Sequence, residues 1–266
     1  MKAMIFAAGL GTRLKPLTDV LPKALVPVAG KPLLEHICRK LKASGIDDAV
    51  VNVHHFADKI EQWVGEQDWI SAEQSSGDDK ICVQISDERA RLLETGGAIL
   101  NARSCLEGCG RFLIHNVDIL SNCDLKWLGT QVSDDAVATL LVSPRKTSRY
   151  FLFHPQTMRL AGWKNVSSGE VYMADSEIEP DQCVPYAFSG IHVISDKVFA
   201  LMDEYVHHQG LENDSGVRFP IKDFYLWAAS RCPIYGVVKE DLQLLDVGKL
   251  DALAPAEEFV ESMKYQ

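Results

Sequence analysis

Apolar runs and helix-spaced patterns alternate along the first half of the chain. An apolar run of four to seven residues bounded by polar or glycine residues predicts a buried strand, and apolar residues every three or four positions predict a helix. An alternating strand and helix order is typical of a parallel sheet. The predicted strands are 4–8, 48–53, 81–85 and 112–118, and the predicted helices are 32–44, 57–64 and 98–103.

The second half has a different pattern. Short apolar strands follow one another at 136–142 and 150–153, with turn residues at Pro144, Pro155 and Gly162 and no helix between them. This order predicts an antiparallel excursion from the sheet. Further predicted elements are a strand at 188–194, helices at 196–207 and 221–230, a last strand pair at 233–238 and 242–247, and an amphipathic segment at 252–263.

Composition places the chain among ordinary globular proteins. Its 266 residues are 47% hydrophobic and 24% charged, so we expect one α/β domain spanning 1–266. No run approaches the roughly 20 apolar residues of a membrane span, and the start lacks signal-peptide features, which favours a cytoplasmic protein. Seven cysteines without a C-x-x-C pair indicate neither a disulfide framework nor a zinc site.

The charge is unevenly distributed. The net charge is −10, which argues against nucleic acid as a partner, since a duplex binder needs a basic face. Residues 1–45 nevertheless hold eight Lys or Arg against two Asp or Glu. A basic entrance on an acidic protein would attract a small polyanion such as a nucleoside triphosphate, although the asymmetry could also be without spatial meaning.

A glycine-rich stretch follows the first strand. Gly9 and Gly11 permit a sharp turn that presents backbone N–H groups to an anion, while Arg13 can fork across two phosphate oxygens and Lys23 can act as a point charge. Leu14 occupies the place of the third glycine of the dinucleotide fingerprint, which argues against a hydride-transferring enzyme, and the Gly-Lys-Ser/Thr of the Walker loop is missing. A lone Gly-x-Gly would equally suit a plain tight turn.

The longer pattern resembles the sugar-1-phosphate nucleotidyltransferase superfamily, whose signature runs A-A-G-x-G-T/S-R-L-x-P-L-T, P-K-x-L-x-P-V and G-x-P-L. About two dozen positions agree in register, and the resemblance recurs along nearly the whole chain. The matching segments are 7–14, 16–18, 22–28, 30–33, 51–55, 93–97, 116–118, 188–191 and 246–248.

The resemblance implies the roles of particular residues. Arg13, Lys23 and Asp118 would be catalytic, and Asp118 and Asp246 would bind Mg²⁺. Asp118 alone could instead cap a helix, and Lys249-Leu250-Asp251 replaces the Thr-Pro-Glu that usually follows the second Asp, which weakens Asp246. The implied nucleotide-binding residues are Ala7, Ala8, Gly9, Gly11, Thr12, Arg13, Lys23, Glu94, Gly96, Gly97 and Asn116.

The resemblance also implies a sugar site. Lys164, Ser189 and Gly190 are its candidates, although Lys164 has poorly matching neighbours and could be an ordinary surface lysine. Gly96 and Gly97 would approach the base, or would merely start a helix. Val117 stands where many relatives have glycine, which leaves the choice of substrate in doubt.

The fold implied by the resemblance is a Rossmann-like, mixed and mostly parallel sheet flanked by helices. Residues 1–135 would form the nucleotide-binding part and 136–266 the sugar-binding and closing part. No hexapeptide repeats occur, so we expect no β-helix domain. The protein would be a monomer or a small homo-oligomer without a membrane partner.

The implied reaction joins a nucleoside triphosphate to a sugar 1-phosphate and releases pyrophosphate. The chain looks most similar to uridylyltransferases that act on N-acetylmuramic acid 1-phosphate, with mannose- and heptose-phosphate guanylyltransferases as alternatives. A phosphocholine cytidylyltransferase, with Trp127, Trp163 and Trp227 as a choline cage, is another alternative. A non-catalytic nucleotide-sensing subunit is the alternative of a different class, although such a subunit could dispense with the charged residues that this chain retains.

Overall fold

A computed structural model describes residues 1–72, 79–211 and 216–263 of the chain. The strands in these residues are β1 (Lys2–Phe6), β2 (Pro27–Val28), β3 (Lys31–Pro32), β4 (Asp48–Val53), β5 (Ile70–Ser71), β6 (Ile81–Asp87), β7 (Arg111–Asn116), β8 (Ile119–Ser121), β9 (Ala138–Ser143), β10 (Arg149–Phe153), β11 (Leu160–Asn165), β12 (Glu170–Met173), β13 (Val184–Ser195), β14 (Ile234–Val238) and β15 (Leu244–Asp246). The helices are α1 (Leu33–Ala43), α2 (Ala57–Gly65), α3 (Glu94–Asn101), α4 (Arg103–Leu106), α5 (Leu125–Thr130), α6 (Val198–Gln209), α7 (Ile221–Ala229) and α8 (Leu253–Met263). Short 3₁₀ turns also occur at Thr12–Leu14, Leu17–Asp19, Lys23–Leu25, Pro180–Gln182 and Leu250–Ala252.

The centre of the main sheet is parallel. β1 pairs in parallel with β7 on one side and β4 on the other, and β6 extends the same direction beyond β4. The central residues of β1 are fully buried, and neighbours Met4 and Ile5 pack into two different core clusters, one on each face of the sheet. Burial on both faces is what near-continuous apolar strands require. The Rossmann-like sheet flanked by helices is therefore confirmed.

The other side of the sheet is antiparallel. The 12-residue strand β13 runs against β7, β9 and β10, and β10, β11 and β12 continue as antiparallel neighbours. The antiparallel excursion predicted after residue 136 is thus present. The resulting strand order is β12-β11-β10-β13-β7-β1-β4-β6-β5. In addition, β9 pairs with β13, and β14 pairs with β9.

The predicted last strand pair is wrong. β14 does not pair with β15 but lies parallel to β9 in the main sheet, whereas β15 pairs antiparallel with β8 in a separate ribbon. Period-2 patterning locates strands but carries no information about their partners. The ribbon of β8 and β15 is important for the site, because it brings residues 118 and 246 together.

The helix predicted at 98–103 begins four residues earlier. α3 starts at Glu94, so Gly96 and Gly97 lie within its first turn, and it ends at Asn101 before the short α4. A Cβ added to Gly96 would lie 2.2 Å from the Phe219 ring, and one added to Gly97 would lie 2.2 Å from the Val217 carbonyl oxygen. The glycines therefore permit close packing of another segment against the helix.

The seven cysteines are unpaired in the structure. Burial raises the pKa of Cys38 to about 12 and those of Cys82 and Cys123 to about 11. Because the thiolate is the reactive form, these three residues are packing residues of the interior. Among the described residues, no helix combines the length and apolar character needed to cross a bilayer.

His192 gives the fold a dependence on pH. This residue of β13 is 1% exposed, both ring nitrogens lack a hydrogen-bond partner within the described residues, and burial, with a smaller effect of His115, lowers its pKa to about 3. The unfolded chain takes up this proton near pH 6.5, so the free energy of unfolding should fall as pH drops from 6.5 towards 3, at about 1.4 kcal/mol per pH unit.

The check is urea unfolding of the wild type and His192→Phe between pH 7 and 4.5. The variant should show a shallower decline, because its ring carries no proton in either state. His208→Gln, at an exposed helical position, is the control and should keep the wild-type slope. Equal slopes in wild type and His192→Phe would show that another group governs the acid sensitivity.

Candidate active site

A cleft of about 390 Å³ lies at the carboxyl ends of the parallel strands β1, β4 and β7. Ligands of open α/β sheets bind at this edge of the sheet. The predicted site residues that line it are Ala7, Ala8, Gly9, Lys23, Glu94, Asn116 and Asp118. The remaining lining comes from Asn52 and Thr95 and from the mainly apolar Phe6, Leu92, Val117 and Pro220.

Contacts of Thr18 and Leu14 fix the conformation of the glycine-rich loop. Gly11 has a φ of +62°, and a Cβ there would lie 2.8 Å from the Cγ2 atom of Thr18. The Thr18 hydroxyl donates to the Gly11 carbonyl at 2.8 Å, and Leu14 is fully buried. These contacts fix the turn and leave Thr12 and Arg13 exposed. Only glycine fits at position 11 without strain.

Lys23 and Asp118 form an ion pair at the cleft. Lys23 is 8% exposed and begins a 3₁₀ turn after Pro22, and its ammonium contacts Oδ2 of Asp118. Asp118 follows β7, so a 3₁₀ turn and a strand end bring opposite charges to one point. A lysine this buried is normally paired, and its partner here is a carboxylate that is itself a predicted metal ligand.

Asp246 lies next to Asp118. The Val247 N–H donates to the Asp118 carbonyl oxygen at 2.8 Å, and Asp246 is the register partner of Ile119 in the β8–β15 ribbon. Although the residue is exposed overall, partial burial of its carboxyl group and the charge of Asp118 raise the pKa of Asp246. Residues 128 positions apart in the sequence are therefore neighbours, as the resemblance implied.

Two arginines surround this carboxylate pair. A Cβ added to Gly248 would lie 2.7 Å from Nη2 of Arg13 and 2.5 Å from Oδ1 of Asp246, so both side chains occupy the space beside this glycine. The pKa of Asp246, which burial and Asp118 raise, is lowered by the positive charges of Lys23, Arg13 and Arg145. Sequence reasoning missed Arg145, which follows β9 and donates to the Phe188 carbonyl oxygen at 2.9 Å.

The carboxylate pair fits a divalent cation. Within the described residues, no group of three or more His, Cys, Asp or Glu side chains could hold a metal. Mg²⁺ is commonly bound by one or two carboxylates together with substrate phosphates and water, so Asp118 and Asp246 are a suitable donor set. Burial and, to a smaller extent, the charge of Asp118 raise the pKa of Asp246, and a bound cation would offset both effects.

Asn116 lines the cleft and packs against Gly190. Gly190 has a φ of +81°, and a Cβ there would lie 2.7 Å from the Asn116 side-chain nitrogen. The neighbouring Ser189 is buried, and its hydroxyl donates to the Ile191 carbonyl oxygen at 3.2 Å and accepts from the Ile191 N–H at 3.0 Å. Ser189 thus shapes an irregularity in β13, and its contact with a sugar stays a prediction.

The loop that leads into α3 closes the other side. Glu94 has a φ of +61° and accepts a hydrogen bond from Arg218 at 2.6 Å. The N–H groups of Gly96 and Gly97 both donate to the Phe219 carbonyl oxygen, at 2.9 and 3.2 Å. Glu94 and Thr95, rather than the two glycines, line the cleft, so a base contact by Gly96 and Gly97 stays a prediction.

Lys164 lies apart from the charged cluster, on β11, two strands from β13 in the sheet order. Its role at a sugar phosphate stays a prediction. The proposed choline cage is not assembled. Trp127 packs on one face of the sheet and Trp163 and Trp227 on the other, and each ring faces a different cation, Lys239, Lys222 or Arg231.

Comparison with known sequences gives a consistent result. A profile of the family described as Nucleotidyl transferase matches residues 2–151. An N-acetylmuramate alpha-1-phosphate uridylyltransferase of Caulobacter vibrioides is 36% identical over 202 residues, which cover 74% of this chain and 76% of the relative. A second uridylyltransferase of that description, from Neisseria meningitidis serogroup B, is 42% identical over 128 residues, covering 47% of this chain and 49% of the relative.

Solved structures share the fold. A UDP-glucose pyrophosphorylase complexed with UDP-glucose superimposes with a TM-score of 0.72 at 16% identity, covering 99% of each chain. HddC from Yersinia pseudotuberculosis, complexed with GMP-PN, gives a TM-score of 0.69 at 21% identity over 97% of this chain and 99% of its own. At these identities the likeness concerns the fold.

Proposed function

The chain belongs to the nucleotidyl transferase family, and from this premise we propose that it joins a nucleoside triphosphate to a sugar 1-phosphate. The observation that carries the proposal is the cluster of Arg13, Lys23, Asp118 and Asp246 beside the cleft under the glycine-rich loop. Such a cluster can neutralise a triphosphate and bind its metal ion at once. A plain turn with solvated basic residues would not place Lys23 at 8% exposure against a carboxylate.

The proposed reaction needs no protein nucleophile. A phosphate oxygen of the sugar 1-phosphate attacks the α-phosphorus of the triphosphate, a new P–O bond forms, and the bond to the β-phosphate oxygen breaks to release pyrophosphate. The attacking group is already an anion, so the main obstacle is charge repulsion between two polyanions. Arg13 and Lys23 would hold phosphate oxygens in line and stabilise the charge of the leaving pyrophosphate.

Asp118 and Asp246 would hold Mg²⁺, which when bound supplies Lewis-acid neutralisation of phosphate charge. The two residues themselves have a positioning task. They belong to one ribbon, tied by the hydrogen bond from the Val247 N–H to the Asp118 carbonyl oxygen, so they keep a fixed separation. Lys23 balances the charge of Asp118 and lines the cleft, where its ammonium would also contact phosphate.

Arg145 is the residue that we assign to the acceptor phosphate. It belongs to the segment after β9, and its bond to the Phe188 carbonyl oxygen places it beside Ser189 and Gly190, the predicted sugar site. Its guanidinium also lies near Asp246, which supports an acceptor bound on this side of the metal site. A forked guanidinium suits a phosphate monoester better than an ammonium does.

For the substrates we propose UTP and N-acetylmuramic acid 1-phosphate, which would give the enzyme a place in cell-wall metabolism. The support is the 36% identity to the uridylyltransferase from Caulobacter vibrioides over 76% of that protein. Hydrogen bonds to a base edge reject a wrong base strongly, since a mismatch leaves buried polar groups unpaired. One triphosphate should therefore dominate.

The test is pyrophosphate release with UTP, CTP, GTP, ATP and dTTP, each offered with N-acetylmuramic acid 1-phosphate, glucose 1-phosphate and mannose 1-phosphate. We expect UTP with N-acetylmuramic acid 1-phosphate to exceed every other pair by about tenfold or more, as one lost polar contact predicts. A chelator should abolish the activity and Mg²⁺ restore it.

Two outcomes have different meanings. A preference for GTP and a mannose or heptose phosphate would overturn the uridylyl assignment and leave the reaction class intact. Absence of pyrophosphate release with every pair, in a protein that binds a triphosphate, would contradict the reaction class and favour a nucleotide-sensing role.

A further inference from the structure

Glu88 is a buried carboxylate below the cleft. It follows β6, is 2% exposed, and within the described residues forms no ion pair with a cation. Its Oε1 accepts a hydrogen bond from the Asn52 side chain at 2.7 Å, and its Oε2 accepts one from the Leu93 N–H at 3.1 Å. Burial raises the pKa of Glu88, against the lowering effect of these hydrogen bonds.

Asn52 continues the connection to the glycine-rich loop. It is a polar residue of the fully buried strand β4, whose other polar residue is Asp48 at the opposite end. While its amide nitrogen donates to Glu88, its oxygen accepts from the Ala7 N–H at 2.7 Å. One unbroken series of hydrogen bonds therefore runs from Ala7 through Asn52 and Glu88 to Leu93.

The series joins two segments that line the cleft, the glycine-rich loop and the start of α3. Ala7 and Ala8 line one side, and Glu94 and Thr95, directly after Leu93, line the other. The backbone of Glu88 is itself fixed, because its N–H donates to the Val53 carbonyl oxygen at 2.8 Å and its carbonyl oxygen contacts Nδ1 of His54 at 2.7 Å. The carboxylate cannot shift without moving β4 or the loop.

A buried carboxylate held by amides alone is costly, and apolar residues of similar volume would usually stabilise the fold as well or better. Its placement is therefore better explained by the geometry that it imposes. We propose that Asn52 and Glu88 are positioning residues that set the separation between the Ala7–Gly9 loop and the start of α3 at Glu94 and Thr95, and thereby the affinity for the nucleoside triphosphate. This inference rests on the proposed function.

Glu88→Gln tests the hydrogen bonds of Glu88 without changing the volume of the side chain. The variant has the same shape but offers one acceptor where two donors, Asn52 and Leu93, must be satisfied. If Asn52 flips to accept from the new amide, its nitrogen faces the Ala7 N–H. Every arrangement thus leaves two donors facing each other, so the series must break at one place.

A second substitution should repair the break. In Asn52→Asp with Glu88→Gln, the aspartate accepts from both Ala7 and the glutamine amide, and the glutamine oxygen accepts from Leu93. All three hydrogen bonds are restored, and only the bond between positions 52 and 88 has its donor and acceptor exchanged. Asn52→Asp alone places two carboxylates face to face and should be worse than either other variant.

The experiment measures KM for UTP, KM for the sugar phosphate and kcat in wild type, both single variants and the double variant. We expect Glu88→Gln to raise KM for UTP by roughly tenfold, while kcat and KM for the sugar phosphate change by less than about threefold. The double variant should return to within about threefold of wild type, which gives a strong coupling in a double-mutant cycle.

Val198→Ala is the matched control for lost stability. Val198 is fully buried at the start of α6. It follows the end of β13 that pairs with the first residue of β7, whereas the cleft lies at the other end of β7. It should lower the melting temperature without raising KM for UTP. An unchanged KM in Glu88→Gln, or a double variant no better than the singles, would overturn the inference. Absence of activity in wild type with every triphosphate would instead refute the proposed function.

Discussion

Asp118→Asn is expected to lower kcat by about 10² to 10³ while the protein stays folded. The substitution keeps the shape of the side chain but removes a charge from the pair that Asp118 forms with Asp246. It also removes the carboxylate that the buried Lys23 ammonium contacts directly, although Asp246 stays nearby and the amide oxygen can still accept a hydrogen bond. We therefore expect a loss of stability of roughly 1 to 3 kcal/mol, less than breaking a fully buried pair costs.

The measurements are steady-state rates at several Mg²⁺ concentrations and urea unfolding. Because a metal ligand is lost, half-maximal activity should need more Mg²⁺ than in wild type. Asp124→Asn is the matched control: Asp124 caps α5 by accepting from the N–H groups of Lys126 and Trp127, and asparagine caps almost equally well. Near wild-type turnover in Asp118→Asn would contradict the metal-binding role.

Local patterning predicts much of this fold. The strand at 48–53 has the bounds that its apolar run predicts, and the predicted helix before Gly45 ends at Ala43, as the glycine requires. What patterning could not supply was pairing. β14 and β15 were predicted as partners because they are adjacent in sequence, yet each finds another strand, since pairing is decided by the packing of the whole sheet.

The site was predicted unevenly for a similar reason. Arg13, Lys23, Asp118 and Asp246 lie in motifs, and the structure brings them together at the cleft. Arg145 lies in no motif, and only its position beside Asp246 distinguishes it from other exposed arginines.

Asn52 and Glu88 gave weaker signals. A polar residue in a buried strand was visible at Asn52, because buried polar groups need partners. Nothing marked Glu88 among the polar residues around it, since a partner in another loop cannot be deduced from spacing. Side chains that act through contacts distant in sequence are therefore the ones that require the structure.

Lys23→Ala should lower kcat/KM by about 10² to 10³, because the ammonium would contact phosphate charge that grows in the transition state. The same variant should bind Mg²⁺ more tightly in the absence of nucleotide. The Lys23 ammonium contacts Oδ2 of Asp118, so a cation must compete with it for that oxygen. Removing Lys23 leaves Asp118 and Asp246 as two neighbouring carboxylates with less opposing charge, a better site for a divalent cation.

The two effects have opposite signs and can be measured on one preparation. The rise in melting temperature on adding Mg²⁺ should be larger in Lys23→Ala than in wild type, since a ligand stabilises the folded state in proportion to RT ln(1 + [L]/Kd). The control is Lys42→Ala. Lys42 forms an ion pair with Asp47 at 3.0 Å and does not line the cleft. This variant should change neither the rate nor the response to Mg²⁺. If Lys23→Ala lost activity but responded to Mg²⁺ no more than wild type, Lys23 would still be a phosphate ligand, but Asp118 and Asp246 would not form the metal site. A metal site that includes Asp118 predicts slower turnover together with tighter Mg²⁺ binding.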